Sequence, residues 1–363
     1  MSIIDGTHAS SSFGALGRLL TDSATTQRQV DRLTDQASTG RIADTYAGLA
    51  GGAGTSLNLR PQINALHAWQ ANIDATATRM EVADSAMGAI QDIAKTLLAN
   101  LNNLNGLSAI SVDAVAANAR SALTDVANLL NTQAAGNYVF AGQDTANPPV
   151  PDANNITSSG FYTGIATAVA GLATNGASAT AAATLTIAGS NADGVSPFSA
   201  YLSRSVTSIN TPVVQTGPNQ TTSVGMLASA NVAVPSLGPS TTGSYMRDLM
   251  RALATIGSLS STQMNDPDFN ELVQDTRTSV TGAISAMAND VGVMGDRLAA
   301  LQDTQDQLGQ TEIALSAQLD TAENVDMAAT LSNLSLVKTQ LQASYQLIVG
   351  VNALTLTKYL GAG

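Results

Sequence analysis

The sequence predicts a mainly α fold, a long antiparallel helical bundle built from both ends of the chain, with a β-rich insert between them. Three observations predict it. Apolar residues recur at helical spacing over both flanks of the 363-residue chain. Eight of its ten prolines fall between residues 146 and 243, which excludes a continuous helix there. That same stretch is dense in Thr, Ser, Gly and Asn, and its only charged residues are Asp152, Asp193 and Arg204.

The first flank reads as three helices. Leu16, Leu19, Ser23, Thr26, Val30, Leu33 and Ala37 alternate three- and four-residue steps until Gly40. After the Gly48–Gly54 loop, a seam runs through Ile63, Leu66, Gln70, Ile73, Ala77, Met80, Ala83, Met87, Ile90, Ala94, Leu97, Leu101 and Leu104. Only Gln70 in it is polar, so it predicts one long helix with a nearly unbroken buried stripe. Val112, Val115, Ala119, Leu123, Val126 and Leu130 carry the third helix, and Asn137–Phe140 reads as a strand leading into the insert. Within the insert, Ala183–Ala188 and Ser205–Ile209 are the β-branched runs expected to form strands.

The second flank mirrors the first. Met246, Leu249, Leu253 and Ile256 line a short helix that ends before the Asn265–Asp266–Pro267 break. A long seam follows from Val280 through Met287, Met294, Leu301 and Leu308 to Leu319. The last helix carries Met327, Leu331, Leu334, Val337, Leu341, Tyr345, Ile348 and Val351. Three domains are expected: terminal assembly helices (1–40 and 325–363), a central helical bundle (41–145 and 244–324) and the insert (146–243).

Composition narrows the function. A net charge of −12 argues against a nucleic-acid partner, which needs clustered Lys and Arg, and against an anionic membrane surface. The absence of cysteine excludes disulfides and thiolate metal sites. Residues 1–18 lack the basic start, apolar block and cleavage site of a secretory signal, so export would retain the N-terminus. The uncharged stretch from Thr339 to Thr357 carries too many amides to be a membrane span. Aromatic residues are only 4% of the chain, so its core must come from aliphatic side chains and Met, and a lone copy is expected to be marginally stable. From Asp326 onward, Asp326, Lys338 and Lys358 are the only charges. A helix with so little polar surface is normally covered on several sides, which predicts burial of the chain ends by further copies.

The residues do not support catalysis or cofactor binding. His8 and His67 are the only histidines, and surface or capping roles suit both. Gly51–Gly54 follows no strand and lacks a subsequent Lys-Ser/Thr, so it reads as a loop and not a phosphate cradle. Asp303 and Asp306 share a helix face without a partner base. The sequons at Asn155 and Asn219 are expected by chance in such a composition. No cofactor and no metal site is expected.

Several segments together resemble the flagellin superfamily, and within it the FlgL-type hook-associated proteins of the hook–filament junction. Ser38–Thr39–Gly40–Arg41 is similar to the element that closes the first helix of these proteins. Asn137–Tyr138–Val139–Phe140–Ala141–Gly142 is similar to the segment where junction proteins turn into their outer domain, and is the most discriminating motif. Leu341–Gln342–Ala343–Ser344–Tyr345 resembles an element of the last helix, and Asn324–Val325–Asp326–Met327 the acidic turn before it. The Gly48–Gly54 loop departs from the Asp-Asp-Pro element common in that family.

The resemblance implies an extracellular, non-enzymatic subunit of the bacterial flagellum, exported through a flagellar type III apparatus. It would stand in a homo-oligomeric ring of the flagellar axis, beside a neighbouring hook-associated protein and flagellin. An export chaperone would mask its C-terminal helix in the cell. The residues expected to mediate assembly are Leu16, Leu19, Val30, Leu33, Leu331, Leu334, Leu341, Tyr345, Ile348 and Val351. A flagellin proper is the nearest alternative. A signalling coiled coil should be richer in charge or span a membrane, and a hydrolase in the insert would have only Asp152 and Asp193 as carboxylates.

Overall fold

The computed structural model describes residues 7–104 and 109–360, and side chains within 17–104 and 111–351. The mainly α class is as the periodicity predicts. The chain divides into two compact units, Met1–Leu66 with Gly309–Gly363, and His67–Leu308.

The first unit contains α1 (Thr7–Thr39), a 3-10 turn (Tyr46–Gly52), the start of α2 (Ala53–Asn103), the end of α8 (Phe269–Glu323) and α9 (Met327–Leu360). Helix α2 begins ten residues before the predicted seam and accommodates Pro61 in its third turn.

The second unit contains the rest of α2 and α8, α3 (Ala109–Leu130) and α7 (Tyr245–Gly257), together with all of the insert. Helices α2 and α8 run antiparallel in it. Gln305 on α8 donates to Asp74 on α2 at 2.6 Å, and Arg277 on α8 to Asn102 on α2 at 3.5 Å. The predicted stripes are its core: Ile73, Met80, Met87, Ile90, Ala94, Leu123, Val126, Val280 and Met287 are all buried.

The insert holds less strand than expected. Residues 160–189 form α4 (Gly160–Ala170), α5 (Leu172–Asn175) and α6 (Ala177–Gly189), so the predicted strand at Ala183–Ala188 is helix. No proline lies between Pro151 and Pro197, and alanine, the strongest helix former, recurs through this stretch. The β-branched threonines fit because their hydroxyls bond back to the preceding turn, Thr163 to Ser159 O, Thr167 to Thr163 O and Thr186 to Ala182 O. Ser159 caps α4 by accepting from Tyr162 N–H. The second predicted run, Ser205–Ile209, contains a 3-10 turn at Val206–Ser208. Strand structure in the insert is one antiparallel hairpin, β3 (Val213–Gly217) with β4 (Gln220–Ser223), reversed at Pro218–Asn219 with Asn219 at φ 62°.

Helix α7 is buried along its whole length, because α3, α4 and α6 all pack on it. Its polar side chains are therefore interior; Arg247, Asp248 and Arg251 find partners on other segments, whereas Arg251 Nε and Thr255 Oγ1 are buried without one. Arg247 donates to Ser229 O, Ala188 O, Ser190 O and Asn191 Oδ1, and its guanidinium lies 5.1 Å from the Phe198 ring centroid. Burial lowers its pKa to about 10. Arg251 pairs with Asp275 at 3.3 Å and donates to Thr184 Oγ1 and Ser240 O. Burial also pushes Asp248 above the ordinary carboxylate value, against the opposing pull of its hydrogen bonds from Thr241 and Thr242.

Candidate assembly surface

The first unit is held closed where the two ends of the chain meet. Gly40 ends α1 at φ 72°, in the left-handed region that glycine adopts without a Cβ penalty, and its N–H donates to Gln36 O at 2.9 Å. Its carbonyl accepts from Val325 N–H at 2.9 Å, Ile42 N–H donates to Glu323 O at 2.7 Å, and Arg41 bridges antiparallel to Asn324. The Ser38–Arg41 and Asn324–Met327 motifs are thus two halves of one backbone clasp. Asp326 caps α9, its carboxylate accepting from Ala328 N–H and Ala329 N–H.

A buried carboxylate ties the clasp to α2. Glu323 accepts from Arg60 Nε at 2.8 Å and Nη2 at 2.5 Å, and from the Ser56 hydroxyl. Gly52 sits against the same turn, where a Cβ would lie 2.5 Å from Ala322 O. The Arg60 hydrogen bonds, then that of Ser56, hold Glu323 below the ordinary glutamate value of 4.5. A lowered folded-state pKa contributes stability above the unfolded value and loses it as the pH falls through the folded one. Arg60 is 42% exposed, so solvent screening limits the pair to about 1 kcal/mol or less. Glu323→Gln should accordingly weaken the first unit slightly at neutral pH and flatten its acid-side stability loss. Hydrogen exchange of the α1 and α9 amides against pH measures this.

Helices α1 and α9 pack as an antiparallel pair. Val30 and Leu33 of α1 meet Val337 and Leu341 of α9 in a buried cluster, with Leu334 at its edge. Four of the residues expected to zip between copies, Val30, Leu33, Leu334 and Leu341, are therefore brought together inside one chain. Leu19, Ile348 and Val351 are half-buried, and the Leu16 side chain lies outside the described residues. Leu331 and Tyr345 stand one helical step beside the buried stripe and are exposed, at 51% and 49%.

Met327 and Val349 join them on that flank, and Leu336 and Leu347 expose a second apolar patch on the opposite face. The reading by seam residues passed over Leu336, Leu347 and Val349, although a helix without charge between Asp326 and Lys338 or between Lys338 and Lys358 signals more than one covered face.

The Asn137–Gly142 segment turns the chain out of α3. Gln133–Ala134 (β1) pairs with Asn137–Tyr138 (β2) around Ala135 and Gly136, both at positive φ. Val139, Phe140 and Ala141 are buried, Phe140 O accepts from Ala228 N–H, and Ala141 bridges to Leu227. Arg79 on α2 donates to Tyr138 O at 2.9 Å. Gly142 has φ 64°, and a Cβ there would lie 2.9 Å from both Asn210 O and Leu227 Cδ2. Gly142→Ala should lower stability by about 1–3 kcal/mol through strain and close contact. The denaturation midpoint read from Trp69, the sole tryptophan, checks it.

Among the described residues there is no group of three His, Asp or Glu that could hold a metal ion, and no helix long and apolar enough to cross a membrane. His67 is exposed on α2 and the side chain of His8 lies outside the described residues.

Residues 17–145 match the bacterial flagellin N-terminal helical region and residues 277–360 the bacterial flagellin C-terminal helical region. Together these matches span more than half of the chain. A solved structure from Vibrio parahaemolyticus, described as a candidate flagellar hook-associated protein, superposes with a TM-score of 0.50 at 12% identity. The alignment covers 74% of this chain and 96% of that one. No curated protein sequence matches significantly.

Proposed function

The chain belongs to the flagellin superfamily, a structural component of the flagellum, and from that premise we propose that it joins the hook to the filament. It forms a ring in the flagellar axis, between a neighbouring hook-associated protein and flagellin. Its paired terminal helices are the assembly element, and residues 146–243 project as an accessory. The observation that carries assembly is the exposed apolar surface left on α9 after α1 is paired, with Leu331, Tyr345 and Val349 on one flank. Apolar area left in water costs about 25 cal/mol per Å², which neighbouring copies recover by covering it.

The Asn137–Gly142 motif supports the junction role over that of bulk filament subunit. The subunit leaves the cell unfolded through the flagellar type III apparatus, with a chaperone on α9 before export. The absence of disulfides suits that passage. Stoichiometry in purified flagella tests the assignment: a junction protein is a trace component, and a flagellin is the bulk of the mass. A chain that makes up the filament would transfer the assignment to flagellin.

A further inference from the structure

The most exposed large apolar side chain among the described residues is far from α9 in sequence. Leu237 is 90% exposed, between Pro235 and Pro239, in the loop 231–243. Three carboxylates of α7 and α8 pin this loop on either side of it. Asp290 accepts from Val232 N–H and Ala233 N–H, Asp275 from the Ser240 hydroxyl, and Asp248 from Thr241 Oγ1 and Thr242 N–H. Across the loop, Ser236 N–H donates to Gly243 O at 2.9 Å, and Asn231 Nδ2 donates to Val234 O and Ser236 Oγ. A leucine displayed on so anchored a loop has little backbone entropy left to lose on contact.

The same unit carries an open apolar groove of about 260 Å³ between α2, α3 and α7, lined by Ile93, Leu97, Val115, Ala119, Ala122 and Leu253. It is larger than the ~150 Å³ cavity that takes a benzene-sized guest. Its one charged lining residue, Asp92, is paired with Lys95 at 3.2 Å. No charged residue occurs between Arg204 and Arg247, so a knob from this loop strips water from no charge of its own.

We propose that Leu237 of one copy inserts into the α2–α3–α7 groove of a second copy. Knob and groove are different surfaces of one chain, so the contact is head-to-tail and closes into a ring when the rotation permits. The inference rests on the reading that the chain assembles with itself, and adds a contact separate from the terminal helices.

The cysteine-free sequence allows a direct test. Purified full-length Leu237→Cys and Asn118→Cys chains, the latter at the groove, are mixed at high concentration and treated with a short bis-maleimide. A docked pair holds its thiols at a high effective concentration, so heterodimer yield should exceed that of an exposed-control mixture, Ser208→Cys with Asn118→Cys, by about tenfold. Leu237→Asp should lower self-association in sedimentation by a similar factor, and Leu237→Met should retain it. Equal cross-linking of the two mixtures, or unchanged association of the Asp variant, overturns the contact. Neither readout depends on where the protein lies on the cell, so a failed junction assignment is distinguishable from a failed contact.

Discussion

Replacing Arg251 with alanine should destabilise the 67–308 unit by about 3–5 kcal/mol, the cost of removing one partner from a buried ion pair. Its side chain is 1% exposed and its partner Asp275 20%, so little water is available to replace the lost bond. The loss reaches three elements, since Arg251 also donates to Thr184 on α6 and to Ser240 in the 231–243 loop. Denaturation followed by Trp69, which lies in the same unit, measures it. Arg251→Met with Asp275→Asn should recover much of the stability, because no unpaired charge stays buried. A single-variant change within about 0.5 kcal/mol, typical of surface substitutions, would show that the pair is not holding the insert to α7.

Two substitutions on α9, Leu331→Asp with Val349→Asp, should abolish assembly while leaving the folded subunit nearly unchanged. Both side chains are exposed in the single chain, at 51% and 67%, so folding stability should shift by about 0.5 kcal/mol or less each. Covering them with another copy would bury uncompensated carboxylates. The matched pair Val337→Asp with Leu341→Asp places charge in the α1–α9 cluster and should instead unfold that pair. Circular dichroism of the subunits, with motility and recovery of shed subunit from the medium, separates the two cases. Loss of helix in the Leu331/Val349 variant would mean that this flank is part of the subunit's own fold.

The long helices were legible because their stripes do a single job. Each position from Ile63 to Leu104 faces one buried side, and only Gln70 and Ala77 of that stripe are less than fully buried. The insert was misread where two signals compete. Threonine counts as a strand former by shape, yet in 160–189 it sits among alanines and satisfies its hydroxyl within the helix. Helix α7 shows a further limit. Met246, Leu249, Leu253 and Ile256 mark one buried face, but no spacing signal reveals that Arg247, Asp248 and Arg251 are buried as well. Residues distant in sequence supply the partners of Arg247 and Arg251, and the adjoining loop those of Asp248.

The assembly site was half legible. Heptad spacing identified the α9 seam, but periodicity alone does not say whether α1 of the same chain or another copy covers a given position. Val337 and Leu341 are covered within the chain, and Leu331 and Val349 are not. The Ser38–Arg41 and Asn324–Met327 motifs were recognised by resemblance as local elements. Their joint role as one clasp, with Glu323 and Arg60 behind it, depends on contacts between chain ends that local spacing does not encode.

Immunogold electron microscopy of flagella from cells producing this chain shows where the subunit stands. One narrow band of label is expected at the boundary between hook and filament, absent when the Leu331/Val349 variant replaces the native chain. Label along the whole filament would make the chain a flagellin, and absence of label from the flagellum would contradict the assembly role altogether.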